Sequence, residues 1–140
     1  FMIFERGMPH SQLWIMYAIS DVFLLTSKAE GLGMPLLEAM AVGIPCLATN
    51  CTGMKELLSD KRGFLIGYDH THRDPFGNGF RYWADVDDGV RILRQIYEKS
   101  NENNVDPKHI RYVIENARKY VEERTWDKAV DVVEEVLKSL

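Results

Sequence analysis

Two short apolar runs joined by a glycine-rich turn and a helix-forming stretch constrain the fold of this chain most. Val22-Phe23-Leu24-Leu25, just after Asp21, is continuously apolar, the pattern of a strand covered on both faces in a parallel sheet. Cys46 to Thr49 is a second such run. Parallel strands require a crossover between them. The segment from about Met34 to Val42 supplies it as a helix, burying Leu37, Met40 and Ala41 and ending at Gly43 in the C′ position. The same alternation extends both ways. Phe1 to Phe4 reads as a strand, and residues 11 to 20 as a helix capped by Ser11. The apolar face of that helix is Leu13, Met16, Tyr17 and Ser20, at helical spacing. Thr52 is placed to cap a short helix through Leu58, and Gly63 to Ile66 reads as a fourth strand. The order β-α-β-α-β-α-β with short loops predicts an α/β fold with parallel crossovers.

Residues 67 to 81 break this rhythm with turn formers and are predicted to be a loop. Asp69, His70, His72 and Asp74 there invite a metal reading, but a flexible loop does not fix ligand geometry, so a solvated loop is the expectation. Tyr82 to Ala84 reads as a short strand or extended piece. Asp85 to Asp88 then opens a helix whose inward stripe is Val86, Val90, Leu93 and Tyr97. After a polar connector, Asp106-Pro107 starts a helix with Ile110, Val113, Ile114, Ala117 and Val121 inward. Thr125 caps the last helix, where Ala129, Val132, Val133 and Val136 are expected to face the core and Trp126 to anchor packing.

Composition narrows the function classes. A chain of 140 residues forms one domain with a substantial core. Its net charge of −4 and lack of a basic stripe make nucleic acid an unsuitable partner. No apolar run approaches the roughly 20 residues of a membrane span, and residues 1 to 25 lack the pattern of a signal peptide. Cys46 and Cys51 read as small buried apolar side chains in a reducing compartment.

The chemistry concentrates where the first buried strand passes into its helix. Glu30 and Glu38 have seven residues between them, with Gly31, Gly33 and Pro35 in that interval. Glycines let backbone approach a ligand closely, and Pro35 suits a first helical turn. Free amides at the positive end of a helix dipole suit a phosphate. Carboxylates would repel that phosphate, so Glu30 and Glu38 are better matched to the hydroxyls of a sugar or ribose. In such sheets ligands bind outside the carboxyl ends of the strands, where the 26–33 and 50–53 loops both fall.

The run S-K-A-E-G-L-G-M-P-L-L-E-A-M-A-V-G-I-P-C-L-A-T-N resembles the E-x7-E signature of retaining glycosyltransferases of the GT-B fold, the large group often called family 4. The lead-in L-W-I-M-Y-A-I-S-D-V-F-L-L-T-S and the downstream T-G-M-K-E-L-L and G-F-L-I are similar to that family's pattern as well. The resemblance is close over residues 10 to 66 and loose over the C-terminal helices, where Trp126 matches the family's T/S-W.

The resemblance implies a partial Rossmann-like parallel sheet with flanking helices, the C-terminal half-domain of a GT-B fold. Residues 1–140 would then be a single, truncated nucleotide-sugar-binding domain of a longer enzyme. Glu30 would take the position of the carboxylate near the donor sugar, and Glu38 that of the carboxylate on the donor ribose. Gly31, Leu32, Gly33 and Met34 would hold sugar hydroxyls or phosphate, with Thr52 and Gly53 helping. No cofactor or metal is expected, because the nucleotide-sugar is itself the substrate. The acceptor (a sugar, lipid or glycan) would bind through an N-terminal domain ahead of Phe1, as would the family's Gly-Arg and Lys grip on the diphosphate, so this piece alone would not turn over. The same truncation would leave the Val22 strand with an apolar edge, to be covered by Phe1–Phe4 or by self-association. A cytoplasmic location, or the cytoplasmic face of a membrane, goes with these expectations. The competing readings are a non-catalytic nucleotide- or sugar-binding module, a ligand-free interaction domain, and another GT-B enzyme such as a nucleotide-sugar epimerase or a phosphorylase.

Overall fold

The computed structural model describes residues 7–77, 79–101 and 107–139. Phe1 to Phe4, expected as a strand, and Asp106, expected to open a helix, lie outside the described residues. A helix α1 (His10–Ala18) leads into β1 (Phe23–Leu25), followed by α2 (Met34–Val42), β2 (Cys46–Thr49), α3 (Thr52–Leu58) and β3 (Phe64–Ile66). The three strands pair in parallel in the order β1-β2-β3, with Phe23 beside Cys46 and Leu47 beside Phe64. A hairpin, β4 (Tyr68–Arg73) and β5 (Phe80–Ala84), forms a separate antiparallel sheet. Helices α4 (Val86–Asn101), α5 (Pro107–Glu122) and α6 (Trp126–Lys138) complete the chain. This is an α/β fold with a parallel three-stranded sheet flanked by helices, as expected for a Rossmann-like half-domain.

The central strand fixes the layering. All four residues of β2 are buried. Cys46 and Ala48 face one side, packing with Leu36, Ala39 and Met40 of α2, Met54 and Leu57 of α3, and Ala117 of α5. Leu47 faces the other, with Ile66, Ile92 and Ile96 of α4, and Ile110 of α5. Each of the leucine, isoleucine and methionine side chains among these contributes roughly 1.5–3 kcal/mol when fully buried. Between α2 and β2, Gly43 takes the left-handed conformation (φ 89°) and its N–H donates to Met40 O. The Ile44 N–H donates to Ala39 O, completing a Schellman stop.

Several boundaries and faces differ from the sequence expectations, each for a local reason. Leu13, Met16 and Tyr17 are the least exposed line of α1, as expected, but the helix ends at Ala18 and Ser20 lies beyond it. Its cap is Pro9, whose carbonyl accepts from the N–H groups of Gln12 and Leu13, and Ser11 lies within the first turn. β1 starts at Phe23 and is not covered on both faces: Phe23 and Leu25 pack on the core while Leu24 is exposed, because no described element lies over it. On α2 the buried line is Leu36, Ala39 and Met40, with Leu37 and Ala41 only partly covered. On α4 the inward line is Gly89, Ile92 and Ile96, with Leu93 partly buried; Val86, Val90 and Tyr97 are exposed. The turn there is set by Gly89, which lies directly against Ile66.

The expected loop at 67–81 is instead the β4–β5 hairpin, with turn formers only at its tip. Tyr68, Thr71, Tyr82 and Trp83 favour strands, and Tyr68 meets Tyr82 edge-on at 4.9 Å. Three of the four polar residues that suggested a metal, His70, His72 and Asp74, are engaged within the hairpin. His70 stacks on Trp83, the Trp83 Nε1–H donates to His72 Nδ1 at 3.0 Å, and Asp74 accepts two bonds from Arg81. The largest departure is α6. Thr125 caps it, accepting from the Lys128 N–H, but it has no buried residue: Val132, Val133 and Val136 face outward and Trp126 is 84% exposed. Among the described residues nothing packs along its apolar stripe, so the amphipathic pattern is present without a partner. No described helix is long and apolar enough to cross a membrane.

Candidate functional site

The site is built where β1 and β2 end. After β1 the chain runs through residues 26–33, and Gly33 turns it into α2 with φ 75° and ψ 53°, a left-handed geometry that suits glycine. The Gly33 carbonyl accepts from Leu36 N–H at 2.9 Å and from Leu37 N–H at 3.3 Å, closing the first turn. Pro35 has no N–H to satisfy. The amides of Gly31, Leu32, Gly33 and Met34 donate to no acceptor among the described residues, Gly33 and Met34 because they stand at the helix start. Leu32 and Met34 are about half exposed, which puts this stretch of backbone at the surface.

A second loop, after β2, is strapped onto the first. The Glu30 N–H donates to Thr52 Oγ1 at 3.0 Å, and the Gly53 N–H donates back to Glu30 O at 3.2 Å. Thr52 is not the side-chain cap of α3 that its position suggested. It is the first residue of α3, held at φ 46°, and its hydroxyl serves Glu30 instead. A β-branched residue at positive φ is strained backbone, maintained only by its surroundings. Gly53 is the reason the loops can come so close, since a Cβ there would lie 2.3 Å from Gly31 O. Cys51, at the base of the strap, is buried, and burial pushes its thiol pKa up despite the opposing contact with Thr52. Burial alone raises the Cys46 thiol to about 12. Neither cysteine is an activated thiolate.

Glu38 lies one turn into α2 and is partly buried. Its Oε2 accepts from the Tyr17 hydroxyl of α1 at 3.0 Å. Burial first, then Glu38, raises the Tyr17 phenol well above its ordinary value of 10, so it remains a donor. Glu38 also lines an apolar groove of about 650 Å³ with Trp14, Leu32, Met34, Leu37 and Trp126. The eight expected residues thus fall into two adjoining groups. Glu30, Gly31, Thr52 and Gly53 form one knot of backbone contacts, while Leu32, Met34 and Glu38 share a groove wall, with Gly33 as the hinge between them.

Sequence reasoning placed Tyr17 only in a packing stripe and missed its bond to Glu38. The available signal was the residue type, because a buried tyrosine needs an acceptor for its hydroxyl. It also missed how the hairpin buttresses the site. The Tyr82 N–H donates to Lys28 O at 2.9 Å, and the Lys28 ammonium sits 3.3 Å from the centroid of the Trp83 ring.

Comparison with known proteins agrees with this architecture. The profile of the family described as glycosyl transferases group 1 matches residues 2–72. An uncharacterized glycosyltransferase of Haemophilus influenzae is 45% identical over 88 residues, covering 58% of this chain and 25% of that protein. The O-antigen chain mannosyltransferase B of Escherichia coli is 38% identical over 52 residues, covering 37% of this chain and 14% of the relative. A GDP-mannose-dependent alpha-(1-6)-phosphatidylinositol monomannoside mannosyltransferase of Mycolicibacterium smegmatis is 35% identical over 72 residues, covering 46% and 19%. The chain therefore spans a quarter or less of the length of these relatives. With half the chain matched by one family profile, and that half containing the sheet and both site loops, the chain belongs to the group 1 glycosyl transferases.

Proposed function

We propose that this chain is the donor-binding part of a retaining glycosyltransferase of the family 4 type, moving a sugar from a nucleotide-sugar to an acceptor. Residues 1–140 are then one piece of a longer enzyme whose acceptor site is formed elsewhere. One observation carries the reading: two carboxylates flank a glycine turn whose amides are unpaired among the described residues, and the Thr52–Gly53 loop is strapped to that turn at the carboxyl ends of a parallel sheet. The M. smegmatis relative is named for dependence on GDP-mannose, which supports a nucleotide-sugar as the donor class proposed here.

In this reading Glu38 accepts hydrogen bonds from the donor ribose, and Glu30 lies beside the donor sugar. A departing nucleoside diphosphate gains negative charge, which the amides at Gly33 and Met34 and the α2 dipole stabilise without a metal. A carboxylate at Glu30 favours the positive charge that develops at the anomeric carbon. Gly31 and Leu32 supply backbone donors to sugar hydroxyls, and Thr52 and Gly53 hold that backbone in place. The chemistry needs no cofactor beyond the donor itself.

Calorimetric titration of the chain with UDP, GDP and ADP tests this. One nucleotide is expected to bind, and Glu38→Ala to weaken it by at least ten-fold, the loss of a charge-assisted bond. Equal affinity in the parent and in Glu38→Ala would overturn the assignment.

A further inference from the structure

We propose that Tyr17 is a positioning residue of the donor site, holding Glu38 in the orientation that receives the ribose. The inference rests on the reading of Glu38 given above and extends it to a residue of another element.

Tyr17 is 6% exposed, so its phenolic O–H requires an acceptor inside the protein. Two oxygens are in reach, Glu38 Oε2 at 3.0 Å and Pro35 O at 3.3 Å. The hydroxyl has one proton, and the carboxylate is both nearer and the stronger acceptor. The ring itself cannot swing away. It packs against Trp14 and Phe23 with centroids 5.9 Å and 5.7 Å apart. The donor is therefore fixed before any ligand arrives.

For Glu38 the consequence is specific. A glutamate on a helix surface samples several rotamers and loses that freedom when it binds a ligand. Here one oxygen is already tied to Tyr17, and Oε1 has no other partner among the described residues, on a side chain that lines the groove. An acceptor whose orientation is already set loses less entropy on binding a pair of hydroxyls. The bond also joins α1 to α2 at the point where the site begins. Its effect on a ligand should pass through the ribose hydroxyls alone.

The test compares the chain with Tyr17→Phe, which keeps the ring and removes only the hydroxyl. Each is titrated with the nucleoside diphosphate that binds the parent and with its 2′,3′-dideoxy form. Tyr17→Phe is expected to weaken the ribose nucleotide by roughly three- to ten-fold, the cost of ordering on binding a carboxylate that the bond otherwise holds. The dideoxy nucleotide should change by less than about two-fold, because it offers Glu38 no hydroxyls and no hydrogen-bond energy is at stake. Equal weakening of both ligands would mean a purely structural role and would overturn the proposal, as would no weakening of either. If Glu38→Ala weakens binding while Tyr17→Phe does not, the positioning role fails and the donor-site reading stands. If the parent binds no nucleotide, both fail.

Discussion

Replacing Gly53 by alanine is expected to abolish measurable nucleotide binding and to lower stability at the same time. The added Cβ would sit 2.3 Å from Gly31 O, 3.0 Å from Gly31 C and 3.2 Å from Glu30 O. All three are backbone atoms, so no side chain can rotate out of the way. The 30–31 and 52–53 loops must separate, and with them go the Gly53 N–H bond to Glu30 and the Glu30 N–H bond to Thr52. Displacing a binding loop by about 1 Å can cost on the order of a hundred-fold in function. Overpacking of this kind destabilises by about 1–3 kcal/mol, which for a domain of this size lowers the unfolding temperature by roughly several degrees. Titration and thermal unfolding read the two effects separately. Wild-type affinity in Gly53→Ala would mean that the strap between the loops does not hold the site.

Gly63→Ala should damage the fold and leave the site intact. A Cβ at Gly63 would lie 2.5 Å from Leu58 Cδ2 and 2.9 Å from Cys46 O. Leu58 is 2% exposed, so its side chain has little room to move, and the Cys46 carbonyl belongs to the central strand. The expected loss is about 2–3 kcal/mol. Gly63 precedes β3, at the amino end of the sheet, whereas the candidate site lies at the carboxyl ends. Nucleotide affinity of the folded fraction should therefore match the parent. Thermal unfolding beside titration at a temperature well below the midpoint checks both halves. The pair of glycine variants separates a residue that holds the site from one that holds the core.

Much of this architecture is legible in the sequence because burial on both faces leaves an unbroken apolar run. Cys46–Thr49 is such a run and is a strand with those bounds, between α2 and α3, each of which ends or begins where glycine or loop residues require. The inward line of α5 is legible for the same reason: Ile110, Val113 and Ala117 are buried and Ile114 partly so. Periodicity misleads where a glycine contributes to a packed face. On α4, Gly89 occupies the position that a larger apolar residue usually marks, and counting Val86 and Val90 instead rotates the stripe away from the core. Periodicity also cannot say whether a partner is present, as the outward valines of α6 show.

The hairpin was hidden for a different reason. Histidines, aspartates and arginines in 68–81 look like loop, but β4 is exposed along its length and tolerates polar side chains, while its partner β5 turns Tyr82 and Ala84 to the core. In the site, the glycines and the two carboxylates are visible by type and spacing. The left-handed Thr52 is not, since β-branching argues against that conformation and only the contact with Glu30 explains it. Tyr17 illustrates the general limit: its place on a buried face is readable, but the residue that receives its proton is set by how α1 crosses α2.

The most direct test of the donor-site account is an amide NMR map of the chain on addition of the nucleoside diphosphate that binds it. The largest shifts are expected on Gly31, Leu32, Gly33 and Met34, with Thr52 and Gly53 following through the strap. Shifts concentrated instead in the polar cleft of Ser27, His72 and Arg81, with the glycine turn silent, would contradict it.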